Sequence, residues 1–196
     1  MSMQRMYKEE DIIEAVQADP WMMDILRAVR SLELPDWWVC AGFVRSKIWD
    51  VQHGFTDPTP LPDVDVIYFD ETDSHEKVEK EWEAKLSNLK ADVPWSVKNQ
   101  ARMHLLNNQS PYTSSTDAMS RFPETATALG ISLDGQDRLI LAAPHGIDDV
   151  VNMLIRPTPD FAPSQPLAFI YEQRIAKKNW GTIWNQVQHW PLNPGD

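Results

Sequence analysis

Residues 62–70 read Pro62-Asp63-Val64-Asp65-Val66-Ile67-Tyr68-Phe69-Asp70. β-branched and aromatic residues in a run of this length describe a buried strand. Side chains alternate along a strand, so Asp63 and Asp65 share a face, about 7 Å apart. Val64, Val66 and Tyr68 take the other face, and Ile67 and Phe69 follow the two acids. Two ionised carboxylates side by side repel, and a divalent cation between them removes that cost. The stretch therefore describes half of a Mg²⁺ site on a rigid strand. A plainer reading stays open: Asp is common in turns, and Pro62 places a turn at the strand's start.

Upstream, Trp37–Ala41 forms a short buried strand that runs into Gly42-Phe43-Val44-Arg45-Ser46-Lys47-Ile48-Trp49-Asp50 at helical spacing. Gly42 sits at the strand-to-helix turn, where a ligand can approach the backbone and the first helical N–H groups point at it. Arg45, one turn in, can fork onto a phosphate; its structural alternative is a surface ion pair with Asp50 or an acid elsewhere. Residues 53–62 form a Pro-rich loop that ends at the acidic strand. Earlier still, Glu9–Ala18 and a segment capped by Asp19 and started by Pro20 are packing helices.

Downstream, Asp73-Ser74-His75-Glu76 reads as a capping box for a charged helix reaching Lys90. Val93–Val97 is the next strand, and the polar cluster Lys98-Asn99-Gln100-Ala101-Arg102-Met103-His104 starts a helix after it. Lys98, Asn99, Arg102 and His104 are candidates to face a phosphorylated ligand; the alternative is a strand-end cap and a solvated helix face. A short helix is expected around Thr116–Arg121. Asp134-Gly135-Gln136-Asp137 marks a hairpin between Leu129–Leu133 and Arg138–Ala142. Leu167–Lys178 is helical, and the tail carrying Trp180, Trp184 and Trp190 docks on the body.

The chain has 196 residues, 42% of them hydrophobic, and a formal charge of -11. It can build a core. Its acidity opposes tight binding of long nucleic acid, which relies on Lys and Arg against phosphates, but not of a phosphorylated ligand held through a metal. One Cys allows no internal disulfide, and Cys40 reads as a core thiol. No signal-peptide core and no membrane-length apolar run is present, so a soluble cytoplasmic protein with no membrane partner is expected. The five His residues show no zinc-type spacing, which argues against a metal-dependent phosphohydrolase.

Several blocks together resemble the nucleotidyltransferase superfamily that shares its core with DNA polymerase β, and within it a bacterial family of small nucleotidyltransferase-like proteins. They are Ala41-Gly42-Phe43-Val44-Arg45-Ser46 with Trp49-Asp50, then Asp63-Val64-Asp65-Val66 with Tyr68-Phe69-Asp70, Lys98 to His104, Ala143-Pro144-His145-Gly146-Ile147-Asp148-Asp149, and Arg156-Pro157-Thr158-Pro159. The resemblance spans roughly residues 37–160. It implies an α/β (α+β) fold, a mixed sheet flanked by helices, in one domain over 1–196. Helices at 1–35 would precede the core at 37–160, and a Trp-rich helical appendage at 161–196 would follow.

The resemblance also implies transfer of a nucleoside monophosphate from an NTP to an acceptor, with pyrophosphate released. Asp63 and Asp65 would hold Mg²⁺ or Mn²⁺ as the catalytic pair. Gly42 and Ser46 would sit near phosphate and Arg45 would pair with it. Two features depart from the superfamily pattern: Phe43 stands where a second small residue usually follows the Gly, and the Pro-rich loop lengthens the gap to Asp63. A third acid should complete the site, and Asp70, Asp137 and Asp148 are the candidates. The leading reading is a metal-dependent nucleotidyltransferase acting on a small molecule or a protein. The alternative is a degenerate member that binds nucleotide without transfer, or serves as an interaction module.

Overall fold

The computed structural model describes residues 5–190. Two helices open the chain, α1 (Glu9–Gln17) and α2 (Pro20–Arg30). α2 starts as its sequence dictates: Pro20 takes the first helical position, and the Asp19 carboxylate accepts from the Trp21 and Met22 N–H groups, each at 3.1 Å. β1 (Trp38–Cys40) then runs into α3 (Gly42–His53). After the Pro-rich loop come β2 (Val64–Tyr68), α4 (Glu76–Leu89), β3 (Trp95–Asn99), the single turn α5 (Gln100–Met103) and α6 (Ser115–Ser120). The hairpin β4 (Gly130–Leu133) and β5 (Leu139–Ala142) follows, then α7 (Asp148–Val151), β6 (Leu154–Ile155), α8 (Ala168–Lys178) and β7 (Gln188–His189).

Five strands form one mixed sheet in the order β3-β2-β1-β4-β5. β2 and β3 are parallel and every other pair is antiparallel. The alternation read from residues 63–70 decides which face is buried. Val64, Val66 and Tyr68 join Val39, Val97 and Ile131 in the main core, against Ile12, Val16, Ile25, Leu26, Val44, Ile48 and Leu86 of the helices. The opposite face carries Asp65 and Ile67. There Cys40, Ile67 and Met119 make a small second cluster that Trp38, Phe122 and Ala142 flank. Gly130 lets β4 close on it: a methyl at that position would lie 3.2 Å from the Cys40 Cβ and 3.3 Å from the Trp38 Cβ.

Some elements start differently from the sequence expectation. α4 has no capping box; its N-cap is His75, and the Asp73 carboxylate turns back onto the His75 N–H and ring nitrogen. β3 begins at Trp95 and runs through Lys98 and Asn99, so these belong to the strand and the helix starts at Gln100. The outer edge of β3 is covered by α4: the Val97 and Asn99 N–H groups donate to the Glu83 and Glu79 carboxylates at 3.0 and 2.9 Å. That leaves no free donors there for edge-to-edge pairing.

The C-terminal segment is tied to the body. β7 pairs with β6, and Trp180 and Trp184 are buried against Trp49 of α3. The Trp184 indole donates to Asp50 Oδ1 at 2.8 Å. Trp190 stays 43% exposed, with the Arg156 guanidinium 3.7 Å from its ring centre. Among the described residues, no helix is long and apolar enough to cross a membrane.

Candidate active site

β2 aims Asp65 at the sparsely covered face of the sheet, and Asp63 lies just before the strand. Asp65 sits opposite Cys40 on β1 and Ser96 on β3. Burial and the neighbouring Asp63 push its carboxyl up to about 6, and Ser96, Lys178 and Arg174 pull against that shift. A carboxyl raised in this way, by burial and then by a like charge, stands where positive charge is lacking. Burial, then Asp65 and Asp63, also raise the Cys40 thiol, which stays a neutral core group.

The turn from β1 to α3 lies beside the pair, because Cys40 is Asp65's register partner. Ala41, not Gly42, carries the backbone strain, at φ 54° and ψ -118°. It serves as N-cap without any side-chain hydrogen bond. Its carbonyl accepts from the Val44 and Arg45 N–H groups, so the Gly42 and Phe43 N–H groups precede the first helical bonds. A non-Gly residue held at such dihedrals marks a turn that the surroundings over-determine. Phe43 is buried and packs on Trp21, with ring centres 5.9 Å apart.

Arg45 is the unusual member. It is 8% exposed, and its guanidinium carbon lies 5.0, 4.7 and 5.7 Å from the ring centres of Trp49, Trp180 and Trp184. One terminal nitrogen reaches Ser46 Oγ at 3.3 Å, and Nε has no partner. A Cβ added to Gly42 would lie 3.6 Å from Nη2, so the guanidinium stands at the bare first residue of α3. Burial lowers its pKa to about 10, which leaves it charged at neutral pH. The alternative reading, a surface ion pair with Asp50, is not what forms. Asp50 instead takes the Thr59 N–H, the Thr59 hydroxyl and the Trp184 indole.

The structure does not bring Lys98, Asn99 and Arg102 to this turn. All three are engaged around Glu79, which is fully buried. Arg102 grips Glu79 through two nitrogens at 2.7 Å, and Lys98 reaches it at 3.3 Å. Burial raises the Glu79 carboxyl, but Arg102, the Asn99 N–H and Lys98 outweigh that and hold it below its usual range. The Asn99 amide accepts from the Asp70 and Ala101 N–H groups and donates to the Asp70 and Asp73 carbonyls. That uses its full capacity.

The third acid is not supplied by the expected residues. Asp70 lies past the end of β2 and accepts from Thr72. Asp137 pairs with Arg30, and Asp148 opens α7. Among the described residues, no three His, Cys, Asp or Glu side chains gather closely enough to hold a metal by themselves. The β3 position in register with Asp65 is Ser96.

Arg174 and Lys178, one turn apart on α8, act on Asp65, and sequence reasoning missed them. Arg174 is anchored by the buried Glu124 at 2.7 and 3.2 Å. Their spacing was visible, but basic residues in a helix's last turns ordinarily answer its dipole.

The chain matches the model of a nucleotidyltransferase family over residues 27–189. In three dimensions it is similar to an NMR structure described as revealing a CCA-adding enzyme head domain. That match has a TM-score of 0.84 and 35% identity over 97% of this chain and 100% of the other. It is also similar to a CCA-adding enzyme in complex with CTP (TM-score 0.57, 14% identity, 96% of this chain, 44% of that one). A further match is the complex with ATP (TM-score 0.54, 15% identity, 93% of this chain, 43% of that one). At such identity these two show the fold alone, and the chain spans less than half of their length. No curated protein matches the chain.

Proposed function

Because the chain belongs to this nucleotidyltransferase family, we propose that it moves a nucleoside monophosphate from an NTP to a small-molecule or protein acceptor. The observation that carries this reading is Arg45, a buried cation with an unpartnered Nε at the bare start of α3. A charge kept in place by tryptophan faces rather than by a carboxylate retains its hydrogen-bonding capacity for an anion. The triphosphate would lie against the Gly42 and Phe43 N–H groups, with Arg45 and Ser46 beside it. Arg174 and Lys178 would add charge from the α8 side. Lys98, Asn99 and Arg102 would then support the sheet's edge rather than touch nucleotide.

Asp63 and Asp65 suit a Mg²⁺ or Mn²⁺ ion. Such a cation needs only one or two carboxylates when substrate phosphates complete its shell, and the raised Asp65 pKa marks a place where positive charge is missing. When bound, the metal would neutralise phosphate charge and orient the reacting groups. The protein's own part is positioning: α3 and Arg45 fix the triphosphate while the acceptor's hydroxyl oxygen bonds to the α-phosphorus and gives up its proton to solvent. The α–β bridging bond then breaks and pyrophosphate departs with its electron pair.

One observation favours the second reading, a nucleotide-binding module without turnover: Ser96, not an acid, stands beside Asp65. Calorimetry with each NTP and Mn²⁺ or Mg²⁺, against the double variant Asp63→Asn, Asp65→Asn, tests both. Metal-dependent binding that the variant loses supports a nucleotide site. If NTP–pyrophosphate exchange is then absent with every acceptor class offered, the module reading stands. No binding of any NTP by folded protein removes both.

A further inference from the structure

The Pro-rich loop forms one wall of a cleft of about 300 Å³ between α2, α3 and the turn before β3. We propose that this cleft binds a small organic cation, an alkylamine that carries an aromatic ring, at a place separate from the acidic pair.

The cleft is built rather than incidental. Thr59 fastens the loop to α3 through two bonds to the buried Asp50, at 2.8 and 2.6 Å. Trp21, 44% exposed, stands at the cleft and packs its ring on Phe43. Pro60, Leu61 and Pro94 supply flat apolar walls. Concave, mostly apolar surface with few polar groups is the usual character of a small-molecule site. The volume suits one or two rings and is too small for a folded macromolecule.

Charge selects the ligand's sign. Asp19, Asp50 and Asp92 line the cleft against one cation, Lys47, which Asp19 holds at 2.8 Å. Asp50 is 5% exposed and takes its hydrogen bonds from neutral donors alone. A buried carboxylate compensated only by dipoles favours a cation nearby and repels an anion. The exposed indole adds cation–π attraction. The triphosphate is therefore excluded from the cleft, while its proposed seat is next door. Ser46 lines the cleft and also contacts Arg45, whereas Val64, also in the lining, turns to the face of the sheet opposite Asp65.

The test uses the full chain and two probes that share a ring and differ in charge, tryptamine and indole-3-acetate, followed by ¹H–¹⁵N NMR. Tryptamine should shift the Trp21, Phe43 and Thr59 amides saturably, and indole-3-acetate should bind about tenfold more weakly, roughly 1.4 kcal/mol. Trp21→Ala and the exposed Asp92→Asn should each weaken tryptamine by about threefold or more, roughly 0.7 kcal/mol. Both should keep NTP·Mn²⁺ binding. No saturable shift, shifts elsewhere, or equal binding of the two probes overturns the proposal. Cleft binding with no NTP binding keeps the amine site and counts against the transfer reading alone.

Discussion

Two strand-to-helix junctions lie at opposite ends of the sheet, one beside the start of β2 and one beside its end, and they are built in opposite ways. At β3–α5, Asn99 has an ordinary φ of -80°, caps the helix with its side chain and spends every polar atom. The cations beside it, Lys98 and Arg102, are paired with the buried Glu79. At β1–α3, Ala41 is strained, nothing caps the helix, and Arg45 has three indoles but no carboxylate. Both segments are polar, basic and preceded by apolar strand. The difference is satisfaction. A junction whose donors and charges are internally matched holds the fold, and one whose donors and charge are left unmatched in a rigid setting is prepared for a ligand.

The largest effect should come from the matched junction. Glu79→Gln leaves Arg102 and Lys98 without their buried counter-charge and should destabilise the protein by about 3 kcal/mol, read as a lower urea midpoint. NTP·Mn²⁺ affinity of the folded variant should stay within about twofold, roughly 0.4 kcal/mol. A stable variant with lost nucleotide binding would reverse the roles of the two junctions.

Next in size is Arg45→Gln. Removing the caged charge should weaken NTP·Mn²⁺ binding by about a hundredfold, roughly 2.7 kcal/mol, and calorimetry reads this directly. Unfolding should change far less, since no carboxylate loses a partner. Loss of stability with unchanged affinity would make Arg45 a packing residue.

How much of this contrast the sequence discloses depends on where the deciding partner lies. The alternation of residues 64–68, the Asp19–Pro20 helix start and the Asp134–Asp137 hairpin are local, and the structure has each of them. The roles at the two junctions are set from afar. Glu79 sits in the run Glu76-Lys77-Val78-Glu79-Lys80-Glu81, where nothing local separates it from the solvated acids around it. Only the packing of α4 along β3 buries it. For Arg45 a surface ion pair stays open beside the phosphate reading, because the rings that enclose it, Trp180 and Trp184, come from the far end of the chain. The strain falls on Ala41 rather than the neighbouring Gly42, and residue type points to the wrong one of the two.

The third prediction concerns the acids that face the unmatched junction. The Asp65 carboxyl stands near 6 in the fold against an ordinary 3.8. Between those values the native state binds the extra proton, so the metal-free protein should gain stability as pH falls from about 6 towards 4 and lose it on the way back up. Asp65→Asn should flatten that dependence. It should also raise stability at pH 8 by about 1–2 kcal/mol, discounting the shift for partial exposure, while removing metal-dependent NTP binding. A variant less stable than wild type at pH 8 would show that Asp65 serves the fold.

The smallest effect tests the strain itself. Ala41 occupies dihedrals that cost a non-Gly residue about 1–3 kcal/mol, and glycine adopts them freely. Ala41→Gly should therefore relieve strain and concede some of the gain to a more flexible unfolded chain, for a net stabilisation of about 0.5–1 kcal/mol. The same freedom loosens the hold on the Gly42 and Phe43 N–H groups, so NTP·Mn²⁺ affinity should fall about twofold to threefold, roughly 0.4–0.7 kcal/mol. Opposite signs in melting temperature and affinity are the signature of strain held for binding. If both rise together, the turn is strained only by its packing, and the rigidity that separates the two junctions belongs to Arg45 and its tryptophans alone.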